Sequence, residues 1–578
     1  MASSEPIRPH QRKLFVLCFD GTNNKFSGTE KDSNILKLYR MLDRTDANVY
    51  TFYQPGIGTY VASHFMQSTS AAGRARSWYL KVKDSAFGSS FAEHVMGAYR
   101  YLMKHYSIED DLYLFGFSRG AYTARFLAEM LDQIGLINAG NEELVRFTWK
   151  TYADWAARRN DGTIKAQLKE DKQETFSRPV RRIRFLGLFD TVNSVPKFEN
   201  AWMQRTRFPY TAKPSAKVIR HAVSIDERRA KFRQDLVAVS RPQSTVKKAE
   251  SASRNETDAI HPSNPAIGGQ SEEVQSSNSP NLTTTLSRVN PSTHKRLLTP
   301  NFPQFPKSLF KKPPLPKVPI RLPSIPRVTE YTPRRYSGSD QGQDVNEVWF
   351  AGGHSDIGGG WRKATGETWP LSHTPLVWMI HEAEAAGLKF DAEKMANFLC
   401  IPESVDENGE RKENPKIREI FLRALQESYR NGVIHDSLEK GPEVPARTAN
   451  FWKMIEYLPF RRMDLQPDGS WKVIRWPLPM GEPRDIPSNA NIHYSAIERM
   501  RSDPDYRPGN LIVGGGGRGV RIAPAEFGIG NWELMKWPGD PIKETFVRKT
   551  GKAQKIDHDE SQVGERQHDT LVESPNEE

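Results

Sequence analysis

Leu112-Tyr113-Leu114-Phe115-Gly116-Phe117-Ser118-Arg119-Gly120-Ala121-Tyr122-Thr123-Ala124 passes from four apolar residues, through Gly-x-Ser-x-Gly, into a helical pattern. Taken alone, Gly116-x-Ser118-x-Gly120 is weak. At ordinary Gly and Ser frequencies it arises by accident in roughly one chain in five of this length. The context makes it informative. A nucleophilic serine of this kind needs a buried strand before it, a helix after it, and glycines where the two must approach closely. Ser118 would then sit at a helix N-terminus, where free amides and the dipole favour developing negative charge.

Working outward, the flanking chain alternates strands and helices. Leu14 to Phe19 is apolar on both faces and closes on Asp20-Gly21-Thr22-Asn23-Asn24, which suits a strand buried in a parallel sheet. Val49 to Tyr53, Leu112 to Phe115, Arg184 to Phe189, Val218 to Ile225 and Glu347 to Ala351 read as further strands. Helical spacing runs over Ser89 to Tyr106, over Ala121 to Ile134 (stopping at Gly135) and over Pro375 to Ala386. The fold class expected is α/β: a mostly parallel central sheet with helices on both faces.

An unactivated serine hydroxyl is a weak nucleophile, so a base and its orienting acid must follow. In this strand-turn-helix context the chain order is Ser, then acid, then His. Asp190 ends the strand Phe185 to Phe189. His354 follows Val348 to Gly353 and precedes Ser355-Asp356-Ile357-Gly358-Gly359-Gly360. His221, His373, His435 and His493 are competitors for the base, and Asp356 and Asp20 remain alternative or supporting acids. The oxyanion hole is expected from the Arg119 amide and from the loop carrying Gly21 and Thr22. That loop matches no phosphate-binding glycine pattern, so no nucleotide cofactor is expected. No metal site is expected either.

The 578 residues carry 40 Gly and 40 Pro, with mean hydropathy −0.66, so an enzyme body is diluted by polar segments. Five segments follow: a flexible N-terminus (1–12), a first core part with nucleophile and acid (13–240), a disordered basic Pro/Ser-rich insert (241–344), a second core part with the base and cap segments (345–540), and a disordered charged tail (541–578). Phe147 to Phe176 and Phe451 to Trp476 are the expected cap. Two cysteines exclude a disulfide framework, and no apolar stretch is long enough to span a bilayer. A cytoplasmic protein is expected, with peripheral membrane contact as an option.

Much of the +12 formal charge lies in the insert, where Lys295 to Arg335 holds ten Lys or Arg residues and one acid. A solvated linker, a tether to anionic membrane and an SH3-type ligand at Pro316-x-x-Pro319-x-Arg321 are the competing readings. Nucleic acid is not expected, because no aromatic interleaving accompanies the charge.

Several stretches then occur together and in order: Phe19 to Asn24, Tyr53-x-Pro55-Gly56-Ile57-Gly58-Thr59, Gly116 to Tyr122, Phe189 to Val192, His221 to Arg229 and Gly353 to Gly360. The set resembles the α/β-hydrolase domain in the first class of type VI secretion phospholipase effectors (the Tle family), over roughly Leu14 to Phe232 and Val345 to Pro508. That resemblance implies hydrolysis of lipid-like esters, with Ser118 as nucleophile and His354 as base. Asp190 as acid is carried over by position and chain order only. The long insert departs from the pattern. Its composition points to a fungal-type intracellular relative. No secretion-adaptor domain is evident, so an antibacterial role is not carried over. Asp226-Glu227-Arg228-Arg229 reads as an ion-pair cluster beneath the sheet, or as a brace for the active-site loops. The reading from another class is a catalytically weak scaffold whose insert recruits partners.

Overall fold

The computed structural model describes residues 12–22, 24, 26–56, 91–157, 177–181, 183–192, 216–237, 342–459, 462–466, 471–513 and 520–549. These belong to one compact unit. The N-terminus, nearly all of the insert with Pro316, Pro319 and Arg321, and residues 550–578 lie outside the described residues.

Strand β1 (Leu14–Phe19) shows why the fold is layered. Its Phe15, Leu17 and Phe19 pack with helices α2 (Phe91–His105) and α3 (Arg119–Ile134). Val16 and Cys18 face the other way, toward α1 (Asn34–Met41), α6 (His373–Ala385) and α7 (Pro415–Asn431). A strand covered on both faces must be apolar at every position, and β1 is. Helix α4 (Leu144–Ala157) adds Trp149 and Tyr152 to the first layer.

The main sheet also contains β2 (Val49–Gln54), β3 (Asp111–Phe117), β4 (Phe185–Phe189), β5 (Val218–Ser224), β6 (Asp344–Phe350), β7 (Asn491–His493), β8 (Trp532–Lys536) and β9 (Thr545–Arg548). Its order among the described residues is β8-β9-β7-β6-β5-β4-β3-β1-β2. Strands β2 through β7 in that order are parallel, and β9 and β8 add an antiparallel edge. The chain steps outward from β1 to β2, then returns across β1 to β3. This reversal opens a crevice at the C-terminal ends of β1 and β3, where open α/β sheets place their sites. The fold is α/β-hydrolase-like, as the sequence led one to expect.

The C-terminal part is more regular than its Pro- and Gly-rich composition indicates. Helix α7 begins at an Asn414 cap with Pro415 in its first turn, and buries Phe421, Ala424, Leu425 and Ser428 on one stripe. Residues 541–549, expected to belong to the tail, are part of the fold, because β9 pairs with both β7 and β8 and buries Phe546. Helices α8 (Ala446–Glu456) and α9 (Tyr494–Ser502) complete this part, with a hairpin formed by Arg462–Leu465 and Trp471–Ile474. The described residues of the first expected cap segment, 147–157, instead join α2 and α3 in the body. No helix among the described residues is long and apolar enough to cross a membrane.

Candidate active site

Ser118 stands at the β3–α3 turn with φ 60° and ψ −125°, a backbone conformation that non-glycine residues rarely adopt. The turn is held by the Ser118 amide, which donates to Phe189 O at 3.0 Å, and by Tyr122 N, which donates to Ser118 O at 3.3 Å. The motif glycines have a steric cause. A Cβ on Gly116 would collide with the Ala121 backbone, and one on Gly120 with the carbonyls of Phe19 and Asp20. Helix α3 therefore presses directly on β1 and β3, with Ser118 between them.

His354 opens the five-residue helix α5 (His354–Gly358), just beyond the end of β6. Its Nε2 lies 2.7 Å from Ser118 Oγ, and its Nδ1 lies 2.5 Å from Asp190 Oδ2. An ionised carboxylate only accepts, so Nδ1 carries the proton and Nε2 is left to accept from the serine hydroxyl. The ring is packed between Phe117, at 4.8 Å centroid distance, and Phe232, at 4.9 Å. Burial pushes the imidazole below its ordinary value, while the Asp190 hydrogen bond, the Asp190 charge and Glu227 oppose that. At neutral pH the group is therefore a neutral acceptor.

Asp190 follows β4 with φ 39° and is fully buried. Its Oδ1 accepts from Ser224 N at 2.9 Å. The guanidinium of Arg484 closes the other side, Nη1 on Oδ1 at 2.6 Å and Nη2 on Oδ2 at 2.9 Å. Burial alone would raise this carboxyl, but the Arg484 cation and the His354 hydrogen bond outweigh it and hold Asp190 well below the usual carboxylate range. Sequence reasoning missed Arg484. A lone Arg in a Pro- and Gly-rich stretch carries no local signal of which acid it will meet 294 residues away.

The alternative acids have other partners. Asp356 Oδ1 pairs with His435 Nδ1 at 2.7 Å, and its Oδ2 accepts from the Gly353 and His435 amides. Asp20 accepts from Gly21 N, Asn24 Nδ2, Ser33 Oγ and Tyr53 OH, which makes it the anchor of its loop. Of the competing histidines, His221 Nε2 accepts from Thr191 N and its Nδ1 meets Glu347, while His493 is tied to Ser495 and to Ile542 O.

The expected oxyanion loop needs a correction. The Gly21 amide donates to Asp20 Oδ1 at 2.6 Å, so it is already engaged. Thr22 Oγ1 instead accepts from the Arg119 guanidinium, which joins the loop to the start of α3. The cluster 226–229 also lies elsewhere than beneath the sheet. It follows β5 at the C-terminal edge, where Asp226 accepts from Gly352 N at 2.6 Å and Glu227 from His354 N at 3.2 Å. Arg229 grips Glu227 with two bonds of 2.8 Å and stacks 3.7 Å above Phe232. The brace for the His354 loop is thus the reading the geometry favours. Among the described residues, no group of three or more His, Cys, Asp or Glu is placed to hold a metal ion.

Residues 13–382 match the family described as the type VI secretion (T6SS) phospholipase effector Tle1-like catalytic domain. A Saccharomyces cerevisiae protein described as uncharacterized is 30% identical over 572 residues, covering 86% of this chain and 80% of the relative. Two solved structures are similar at lower level. One is an uncharacterized protein from Pseudomonas aeruginosa, 17% identical with a TM-score of 0.30, covering 72% of this chain and 53% of that one. The other is the Tle1 effector bound to the VgrG spike of the type 6 secretion system, 18% identical with a TM-score of 0.19, covering 39% and 47%. The chain thus spans about half the length of each solved structure.

Proposed function

The chain belongs to the T6SS phospholipase effector Tle1-like catalytic-domain family, and on that premise we propose that it cleaves acyl esters of lipids through a serine acyl-enzyme. The observation that carries this reading is the unbroken hydrogen-bonded series Ser118 Oγ, His354 Nε2, His354 Nδ1, Asp190 Oδ2. His354 Nε2 takes the hydroxyl proton as Ser118 Oγ attacks the ester carbonyl carbon. Negative charge on the former carbonyl oxygen meets the Arg119 amide at the start of α3. His354 then returns the proton to the departing alcohol as the C–O bond breaks. Water, deprotonated by the same nitrogen, attacks the acyl-enzyme, and Ser118 regains its proton as the acid leaves.

A lipid-like substrate is supported by the second cap segment. Trp452 on α8 packs 5.4 Å from Phe232, which itself touches His354. Beyond it, Met454, Tyr457, Leu458, Trp476 and Met480 are exposed apolar side chains on the same part of the chain. Such a surface suits an acyl chain or peripheral contact with a bilayer. The test compares wild type with Ser118→Ala on phospholipid and neutral-lipid vesicles, reading released fatty acid. Ser118-dependent release from either identifies the ester class. Equal release by both proteins would remove the proposal and leave a hydrolase-like scaffold.

A further inference from the structure

Resting on the serine-hydrolase reading, we propose that Arg484 is a positioning residue for the triad: its guanidinium fixes the plane of the Asp190 carboxylate and neutralises it, so that His354 is presented to Ser118 as a neutral base. The arginine cannot be a surface ion pair drawn inward by chance. It is fully buried, and its fork covers both carboxylate oxygens while its remaining donors meet Phe232 O and Ser224 O. Planar bidentate pairing is what a guanidinium offers over an ammonium, because two parallel bonds set rotation as well as distance. Asp190 is thereby held from both sides, by Arg484 and by Ser224 N, with Oδ2 left facing His354 Nδ1.

The backbone bearing Arg484 is itself clamped. Glu482 accepts from Arg233 at 2.8 Å and from Arg462 of the hairpin at 2.5 Å, and Asn510 donates to Arg484 O at 2.9 Å. The hairpin, the loop after β5 and the triad acid thus form one buried network.

Charge balance gives the arrangement its chemical consequence. Around the His354 ring stand Asp190 from the end of β4, Glu227 and Arg229 from the loop after β5, and Arg484. Asp356, on the same helix as His354, is taken up by His435. Two carboxylates and two guanidiniums balance. Removing Arg484 leaves an excess negative charge, which raises the proton affinity of the Asp190–His354 pair and moves the acid limb of kcat/KM to higher pH.

The experiment uses the full chain with a soluble p-nitrophenyl ester of short acyl length, after Ser118→Ala has shown that wild-type turnover depends on Ser118. Absence of that dependence would overturn the hydrolase reading itself and is seen before any Arg484 variant is made. Arg484→Gln is expected to lower kcat by at least about ten-fold with KM little changed. Its acid limb should move up by about one pH unit or more. Arg484→Lys keeps the charge but loses the fork, so its limb should stay at the wild-type position while kcat still falls. An Arg484→Gln limb at the wild-type pH, with kcat reduced only in proportion to lost folded protein, would overturn the proposal in favour of a purely structural anchor. Should Arg484→Gln fail to fold, Arg484→Lys decides: wild-type kcat overturns the positioning role, and reduced kcat at an unchanged limb upholds it.

Discussion

Asp356 lies two residues after His354, yet its carboxylate bonds His435 and the Gly353 amide, while His354 bonds Asp190 from across the sheet. Proximity in sequence therefore misleads about the acid. Asp190→Asn should lower kcat by about 10⁴, the cost of an orienting acid that presents the wrong tautomer. It also leaves Arg484 buried without its counter-charge, so stability should fall by about 3–5 kcal/mol. Asp356→Asn should keep most of the activity. Parallel kinetics and thermal melts on the two variants check this, and a larger kcat loss in Asp356→Asn would reverse the assignment.

Gly116→Ala and Gly120→Ala test the close contact of α3 with the sheet. A methyl group at either position meets backbone atoms, which cannot rotate aside as a side chain would. Overpacking of this kind costs about 1–3 kcal/mol, and more where the neighbour is rigid. Both variants should melt earlier than wild type, read by calorimetry. Unchanged melting of Gly120→Ala would contradict the packing described.

Acid should act on both rate and stability, through different histidines. His354 is held below its ordinary value by burial, so the acid limb of kcat/KM should lie below about pH 6.5. Stability has its own sign. Burial lowers His94 and His493 to about 4 and His373 to about 3, so below about pH 6.5 each of these three sites binds more protons in the unfolded chain than in the folded one. The stability these groups contribute is present above their unfolded value and is lost as pH falls toward their folded values. Their contribution should therefore lower the melting temperature between pH 7 and 5, read by thermal melts. An acid limb above pH 7 would contradict the neutral, buried base.

Glu227→Gln removes the carboxylate that accepts from the His354 amide and pairs with Arg229. Arg229 holds the Glu227 carboxyl down at about 2 against the effect of burial, so the pair is ionised throughout the working range. The variant should lose about ten-fold or more in kcat through misplacement of His354. A fall in melting temperature should accompany it. Full kcat with a lowered melting temperature would limit the cluster to a stabilising role.

Much of this site was legible in the sequence because its chemistry sits at strand ends. Apolar runs at 112–115, 185–189 and 348–351 marked buried strands, and Ser118, Asp190 and His354 each follow one. Strand ends are where a parallel sheet presents side chains to a crevice, so a residue class and its position together suffice. Arg484 was not legible, and Glu227 was legible only as one of two readings of its cluster. Both act through partners brought close only by folding, and neither lies in a periodic segment. The last three strands, β7, β8 and β9, were also missed, because short strands between Pro- and Gly-rich turns carry too few residues to show alternation.

The central claim is that Ser118 is an activated nucleophile, and covalent capture tests it most directly. A fluorophosphonate probe, which labels serines made nucleophilic by a neighbouring base, is incubated with the full chain and the labelled peptide is located by mass spectrometry. A single adduct on Ser118, lost in Ser118→Ala and strongly reduced in His354→Ala, is the predicted result. A folded wild-type protein left unmodified at Ser118, or one labelled equally well without His354, would contradict it.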